Sequence, residues 1–509
     1  MIRITAYQCS PEAGTLSHTR DTDTTKDPNL LNWLIFSTGS FTSSRLKVAW
    51  RLDQLAGMVL ATLPKEVVGR LSEPPHKAFY GNYRLFYIAG KVFGVSKNGS
   101  DADFYDLHQF FPNEPVPDGV VELQAKANQL QSALEGFGID SPRSLASPHA
   151  CFRDHDLLKS LEGAIPSITD LPDEWMDAQE IAFQTTPRAW ISNYKVGHFP
   201  RLWRADIASA FPAKASNLPD LRECSIEETT DERDLMKAQA GFAIGDFYVR
   251  DDHPYSFCSP FMTENEDGVP VNFVGLKRDY SCSLDDIRTL YELEMGKFTL
   301  RKGWAINWDK PNYPLRDPMN TLFGLRGDDP LQSYLLKRVM NGIIGRLLEV
   351  RRDKDGGLIE FGNNFNPLCH AMITNPVRHK VFHTIVEQGI TEWELARVCV
   401  DGLYSTRRLS FPATAPMGEW RSEGSVPAFI LSAEQVITPD RKIKGTTYDD
   451  LLLECASRPT AYLLGKDSED PIDLKTLFLR QNRYFPSLPE TAEDLLLKEY
   501  NSSTILMEE

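Results

Sequence analysis

"VCVDGLYST", residues 398–406, sets an Asp-Gly pair between two apolar runs. Apolar alternation on either side of Asp-Gly reads as a β-hairpin, and Asp-Gly is a pair that a type I′ turn favours. The hairpin carries one carboxylate, Asp401, at its tip, between strands apolar enough to be buried. Turn chemistry by itself accounts for an acid there.

Two other stretches belong with it. "RLWRADIASAFPA" (201–213) reads as a strand closed by Asp206 and broken at Pro212, with Ser209 and Phe211 at +3 and +5 from the acid. "DDPLQSYLLKRVMNGIIGRLLEV" (328–350) reads as a helix with Asp329 as N-cap and Pro330 in its first position. On that helix Ser333, Lys337, Asn341 and Gly345 recur every fourth residue and share a face. Leu336, Met340, Ile343 and Leu347 form an apolar face. A cation, an amide and bare backbone suit a phosphate-bearing ligand with a flat group, although a merely solvated face looks similar. "NPVRHKVFHTIVEQG" (375–389) reads as a second helix with an Asn-Pro start and a Gly389 stop.

The chain of 509 residues exceeds one ordinary core and implies about two to four domains. With 41% hydrophobic and 25% charged residues it has the composition of a soluble globular protein. No apolar run approaches a membrane span, and the N-terminus lacks a basic start followed by an apolar stretch, so a cytoplasmic location is expected. Eight cysteines occur singly, without a CxxC pair, which argues against a zinc ribbon and a disulfide framework. A net charge of −16 disfavours nucleic acid as a partner on average. Locally the balance reverses: residues 337–354 carry Lys337, Arg338, Arg346, Arg351, Arg352 and Lys354 against Glu349 and Asp353.

The first part alternates strand-like and helix-like runs, including "RLKVAW" (45–50), "LDQLAGMVLATLP" (52–64), "RLFYIAGKVFGVS" (84–96) and "VVELQAKANQLQSALEGFG" (120–138). This is an α/β (α+β) pattern.

In order and spacing, the stretches at 206–212, 337–345 and 398–406 resemble motifs A, B and C of family B DNA polymerases, written DxxSLYP, KxxxNSxYG and YxDTDS. The compact protein-primed phage and plasmid branch is the nearest likeness, and the 131 residues from Asp206 to Lys337 fit it. The resemblance implies a ribonuclease H-like exonuclease-type domain at 1–185, a palm at 186–440 with fingers helices around 315–350, and a thumb at 441–509. It implies template-directed DNA synthesis from primer-template DNA and deoxynucleoside triphosphates, with Mg²⁺ (two ions; Mn²⁺ as a substitute) on Asp206 and Asp401. Replication accessory proteins are possible further partners, and a virus or other mobile element a source. Lys337 would hold the triphosphate, with Arg326 as a second phosphate contact. Ser209, Asn341 and Gly345 would line the nucleotide site. Phe211 stands where the family has the Tyr beneath the sugar and would exclude a 2′-hydroxyl, or it is a core phenylalanine.

The departures from the family are specific. Motif C has two acids in the family and one here. Either Cys399 replaces the first acid and Asp401 is the metal-binding one, or Leu403 has replaced the metal-binding one. Gly342 and Ile344 replace the Ser and Tyr of motif B. Of the exonuclease acids, Asp53 and Asp156 match the second and third motifs, whereas "ITAYQCS" (4–10) supplies no first-motif acid, and Asp106 reads as structural. An exonuclease-like fold without proofreading is expected. "LLEVRRDKDGGLIEFG" (347–362) reads as one short hairpin, with weak processivity implied, and His370, His383, Arg351 and Arg352 as DNA-backbone contacts. The competing functions are a catalytically inactive homologue acting as a DNA-binding or assembly protein, and a nucleotidyltransferase with altered template or sugar rules.

Overall fold

The computed structural model describes residues 4–10, 15–18, 31, 34, 46–439 apart from 74–75, 90, 99, 113, 141, 143, 187–189, 196, 265–269, 353–357 and 433–434, then 448–449, 451 and 504–507. The chain forms two compact units: Met1–Gly163 with Asn320–Ile343 and Val350–Phe361, and Ala164–Met319 with Ile344–Glu349 and Gly362–Glu509. The N-terminal stretch of the first unit ends at Gly163, where the sequence reading placed its boundary at 185, and the helix Met176–Thr185 packs on elements of the second. Most of the segment assigned to a thumb, 441–509, lies outside the described residues.

The first unit is built on a seven-stranded sheet. Its strands are β1 (Thr5–Ser10), β2 (Thr15–His18), β3 (Leu46–Ala49), β4 (Lys77–Tyr80), β5 (Tyr83–Ile88), β6 (Val92–Lys97) and β7 (Ser100–Asp106), in the order β2-β1-β3-β7-β6-β5-β4. β1, β3 and β7 are parallel, and β7 to β4 form an antiparallel meander. The helix Leu52–Leu60 covers one face with Leu52, Leu55 and Val59, which pack with Phe93 and Phe104.

The second unit has two sheets. Along the chain come β8 (Ile191–Asn193), β9 (Gly197–Ile207), β10 (Ser225–Thr229), β11 (Ala240–Val249), β12 (Met262–Glu264), β13 (Pro270–Ser283) and β14 (Gly296–Asn307). A short hairpin of β15 (Val350–Arg352) and β16 (Leu358–Phe361) belongs to the first unit, and its turn lies outside the described residues. Then follow β17 (Leu395–Cys399), β18 (Gly402–Ser405), β19 (Trp420–Ser432) and β20 (Gln435–Ile437). One sheet runs β20-β19-β9-β18-β17-β8, the other β10-β14-β11-β13-β12, with Thr504–Met507 also on β13. Both sheets and the helix Pro367–Glu387 bury one core, which includes Phe247, Phe261, Phe273, Phe382, Val398 and Leu403.

Two boundaries differ from the sequence reading. The chain does not break at Pro212; Ala210–Ala215 is a helix with Pro212 in its first turn, where a missing amide costs nothing. The helix expected to start at Asn375-Pro376 starts at an earlier Asn-Pro. Asn366 caps it by accepting from the Cys369 amide, and Pro367 sits in the first turn. Pro376 lies inside, and Asn375 is buried with its amide donating to the Thr185 hydroxyl. Gly389 ends the helix with φ +58°.

A buried ionic cluster ties that helix to the helix Leu284–Glu292. Asp286 forms a capping box with Ser283, and its Oδ1 also accepts from Arg378 Nη2 and His379 Nε2, each at 2.9 Å. Burial by itself would raise this carboxyl; Arg378 and His379 outweigh it and hold it well below the ordinary carboxylate range. Removing one partner of such a cluster leaves a buried charge uncompensated. Asp286→Ala is expected to cost about 3–5 kcal/mol in a denaturant melt, and an unchanged midpoint would contradict this. Because the native carboxyl lies below its unfolded value, the contribution is complete above about pH 4 and fades as pH falls toward the native pKa.

Candidate active site

Asp206 is the penultimate residue of β9, and its position follows from strand register. β18 runs antiparallel to β9 with Gly402 opposite Asp206 and Leu403 opposite Ala205. On the other side β19 sets Arg421 opposite Asp206, and β17 sets Cys399 opposite Gly402. Residues paired directly across strands share a face. Arg421, Asp206, Gly402 and Cys399 thus form one row on one face of the sheet. The adjacent row, Ala205, Leu403 and Val398, points the other way into the core, where Leu403 and Val398 are fully buried.

Leu403 lies on the face opposite Asp206 and does not occupy the acid's side of the sheet. Cys399 shares the Asp206 row, and Asp401 sits between Cys399 and Gly402 at the hairpin tip. The Asp401 carbonyl accepts from the Ile207 amide at 2.9 Å, so the backbones that carry the two acids are joined directly. The turn itself sits one residue earlier than expected. Val400 and Asp401 are its central residues, Gly402 already belongs to β18, and Val400 takes φ +60°. Its amide donates to the Trp190 carbonyl at 2.8 Å.

Arg421 is the residue that sequence reasoning missed. Its Nε donates to Asp206 Oδ1 at 2.7 Å and its Nη2 to Oδ2 at 2.9 Å. The bond to Asp206 raises the guanidinium pKa, with further contributions from Glu423 and Asp401 that place both acids within its field. No motif spacing marks Arg421; only register brings it to Asp206.

No protein-family model matches the chain, and no curated protein sequence matches it. Solved structures do. Phi29 DNA polymerase complexed with primer-template DNA and incoming nucleotide substrates aligns with a TM-score of 0.52, over 86% of this chain and 87% of that one, at 12% identity. Phi29 DNA polymerase complexed with single-stranded DNA gives 0.53, over 88% and 90%, also at 12% identity. This chain has the fold of a phi29-type family B DNA polymerase.

Within that polymerase fold, two carboxylates at the ends of paired strands are a donor set for a hard divalent cation, which completes its shell with water and phosphate oxygens. Among the described residues there is no cluster of three or more His, Cys, Asp or Glu side chains fit to hold a metal. Both Asp206 oxygens accept from Arg421.

The other predicted residues fall as follows. Ser209 takes φ +48° where β9 turns into the helix Ala210–Ala215. Phe211 is half-buried against the core of the second unit. The helix Pro330–Arg346 forms as expected, with Leu336, Met340, Ile343 and Leu347 buried and Lys337, Asn341 and Gly345 exposed. Its N-cap is Asp329, whose Oδ1 accepts from the Gln332 amide at 2.7 Å. Arg326 Nε donates to Ser333 Oγ at 3.2 Å. Gly345 has open space at its missing Cβ, whereas a Cβ at Gly342 would meet His149 Nδ1 at 3.0 Å. Two of the suggested DNA contacts are half-buried side chains of the second unit. His370 is held neutral at pH 7, since burial lowers its pKa to about 4. His383 Nε2 lies 3.3 Å from the Thr289 hydroxyl and 3.8 Å from Glu292.

In the first unit Asp53 is exposed in the first turn of the helix Leu52–Leu60. Asp156 is fully exposed and 3.7 Å from Lys159. Tyr7, Ala49 and Asp106 align across the parallel strands. A cleft of about 90 Å³ at these strand ends is lined by residues that include Tyr7, Trp50, Arg51 and Gln54, and among the described residues by no carboxylate. Asp106 is the more perturbed acid. Burial raises its carboxyl to about 6, opposed by the His108 amide bond and assisted by Asp53. The folded chain therefore keeps a proton that the unfolded chain releases from about pH 4 upward. Stability should fall as pH rises from about 4 to 6. Asp106→Asn should remove that part of the slope in thermal melts at pH 4.5 and 7, and identical slopes would refute the assignment. No helix among the described residues is long and apolar enough to cross a membrane.

Proposed function

We propose that the protein is a template-directed DNA polymerase that adds deoxynucleotides to a primer 3′-hydroxyl and lacks proofreading. The observation that carries this reading is the β9–β18 register, which puts Asp206 beside the Asp401 hairpin tip in a chain with a phi29-type fold. Asp206 and Asp401 would hold divalent cations, Mg²⁺ with Mn²⁺ as substitute, whose chemistry when bound is to stabilise the attacking and leaving oxygens of an in-line displacement. Lys337 supplies an exposed cation for the triphosphate, and Arg326 is assigned as a second phosphate contact. By their places in the motifs that resemble the family's, Asn341 and Gly345 are assigned to the nascent base pair and Ser209 to the nucleotide. Phe211 limits the sugar to the deoxy form with the edge that the core leaves uncovered. The partners are primer-template DNA and deoxynucleoside triphosphates. The absence of proofreading is supported by the exposed Asp53 and Asp156 and by the cleft at the β1 and β3 ends, which among the described residues no carboxylate lines.

A specific observation favours a second reading, a catalytically inactive homologue that binds DNA: Arg421 occupies both oxygens of Asp206. Primer extension separates the two. Wild type with a primed template, each nucleotide set and Mg²⁺ or Mn²⁺ should give template-matched products. Asp206→Ala and Asp401→Ala should each lower the rate on the order of a thousandfold, the worth of several kcal/mol of transition-state stabilisation. Salt-sensitive DNA binding without extension by wild type would support the inactive homologue. Extension without template, or from ribonucleotides, would support altered rules.

A further inference from the structure

Arg421 stands directly opposite Asp206 across β9 and β19, and its planar fork covers both carboxylate oxygens at 2.7 and 2.9 Å. We propose that Arg421 is a resident cation that competes with divalent metal for Asp206, so that metal enters only as the guanidinium moves aside. The inference rests on reading Asp206 and Asp401 as metal carboxylates. It goes beyond that reading by naming the residue that sets how much metal the site needs.

Four features of the site support competition rather than an incidental surface pair. The bond is bidentate and charge-assisted, the strongest form a guanidinium makes with a carboxylate. It uses the same oxygens that a hard cation would take. The pairing is fixed by sheet register rather than by a flexible loop. Both side chains are partly exposed, Arg421 at 34% and Asp206 at 20%, so a hydrated ion can reach them. The guanidinium also has somewhere to go. Glu423, two residues along the same strand, already lies 3.9 Å from Arg421 Nη2 and 3.8 Å from Arg204 Nε. A small swing exchanges Asp206 for Glu423 and releases both Asp206 oxygens to an ion. Arg421 also lies within the field of Asp401.

The test is a titration of Mn²⁺ into the full-length protein without DNA or nucleotide, with free Mn²⁺ read by electron paramagnetic resonance. Wild type is compared with Arg421→Met, Arg421→Lys, Asp206→Asn and the double variant R421M/D206N. Thermal melts of each report whether the fold is kept. Arg421→Met should bind Mn²⁺ at least about tenfold more tightly than wild type, since one charge-assisted bond is worth about an order of magnitude. Arg421→Lys keeps the charge, loses the fork, and should fall between them; it decides the matter if Arg421→Met does not fold. The gain should vanish in R421M/D206N. Equal affinity for wild type, R421M and R421K, with binding lost in D206N, overturns the competition and leaves the metal reading standing. A gain that persists in the double variant also overturns it. No Mn²⁺ binding by any variant overturns both.

Discussion

The antiparallel pairing of β9 with β18 is the constraint on which the site depends. It joins two acids that are 195 residues apart in the chain through one ladder and one amide-to-carbonyl bond, from Ile207 to Asp401. Because side chains alternate across a strand, the same register sends Leu403 and Val398 into the core. The packing that stabilises the sheet and the geometry that presents Asp206 are therefore one arrangement. A slip of β18 by one residue would turn Leu403 outward and expose a core side chain, and a like slip of β9 would turn Asp206 inward and bury a charge.

The electrostatics of that face follow from its third strand. β9 lies between β18 and β19, so Asp206 has a neighbour on each side. One neighbour, Gly402, has no side chain, and the other is Arg421. The acid thus has no side chain opposite it on β18 and is covered by a guanidinium on the β19 side. Glu423 and Arg204 extend the alternation of charge along the same face. The net charge of −16 says little about this region, where pairing across strands rather than overall composition fixes the local balance.

What was legible in the sequence had local causes. The helix Pro330–Arg346 follows from its cap, its proline and its apolar spacing, and its buried and exposed faces fall where periodicity puts them. The polymerase fold was legible from the order and spacing of three motifs. What was not legible depends on partners distant in the chain. Two Asn-Pro pairs look alike, yet only Asn366 caps a helix, while Asn375 is drawn inside by a bond to Thr185. Arg421 sits in "EWRSEG" without a distinguishing pattern, and only strand register identifies its partner. The helix Met176–Thr185 read as part of the first domain because nothing in its own sequence reveals that it packs on β13 and on the helix Pro367–Glu387.

The displaced turn shows how such long-range terms override local preference. Asp-Gly at the centre of the hairpin would relieve Val400, a β-branched residue held at φ +60°. A left-handed conformation costs a non-glycine residue about 1–2 kcal/mol. Moving the turn to Asp401-Gly402 would slide β17 two residues along β18 and pull it from its pairing with β8, where Cys399 faces Ile191 and Arg397 bonds Asn193. It would also shift Leu395 and Val398, both fully buried, from their places in the core. Each such side chain contributes about 1.5–3 kcal/mol by burial, so the strained turn is the cheaper arrangement. The strain at Val400 is therefore a result of core packing, and it fixes Asp401 at the tip with Gly402 in line with Asp206.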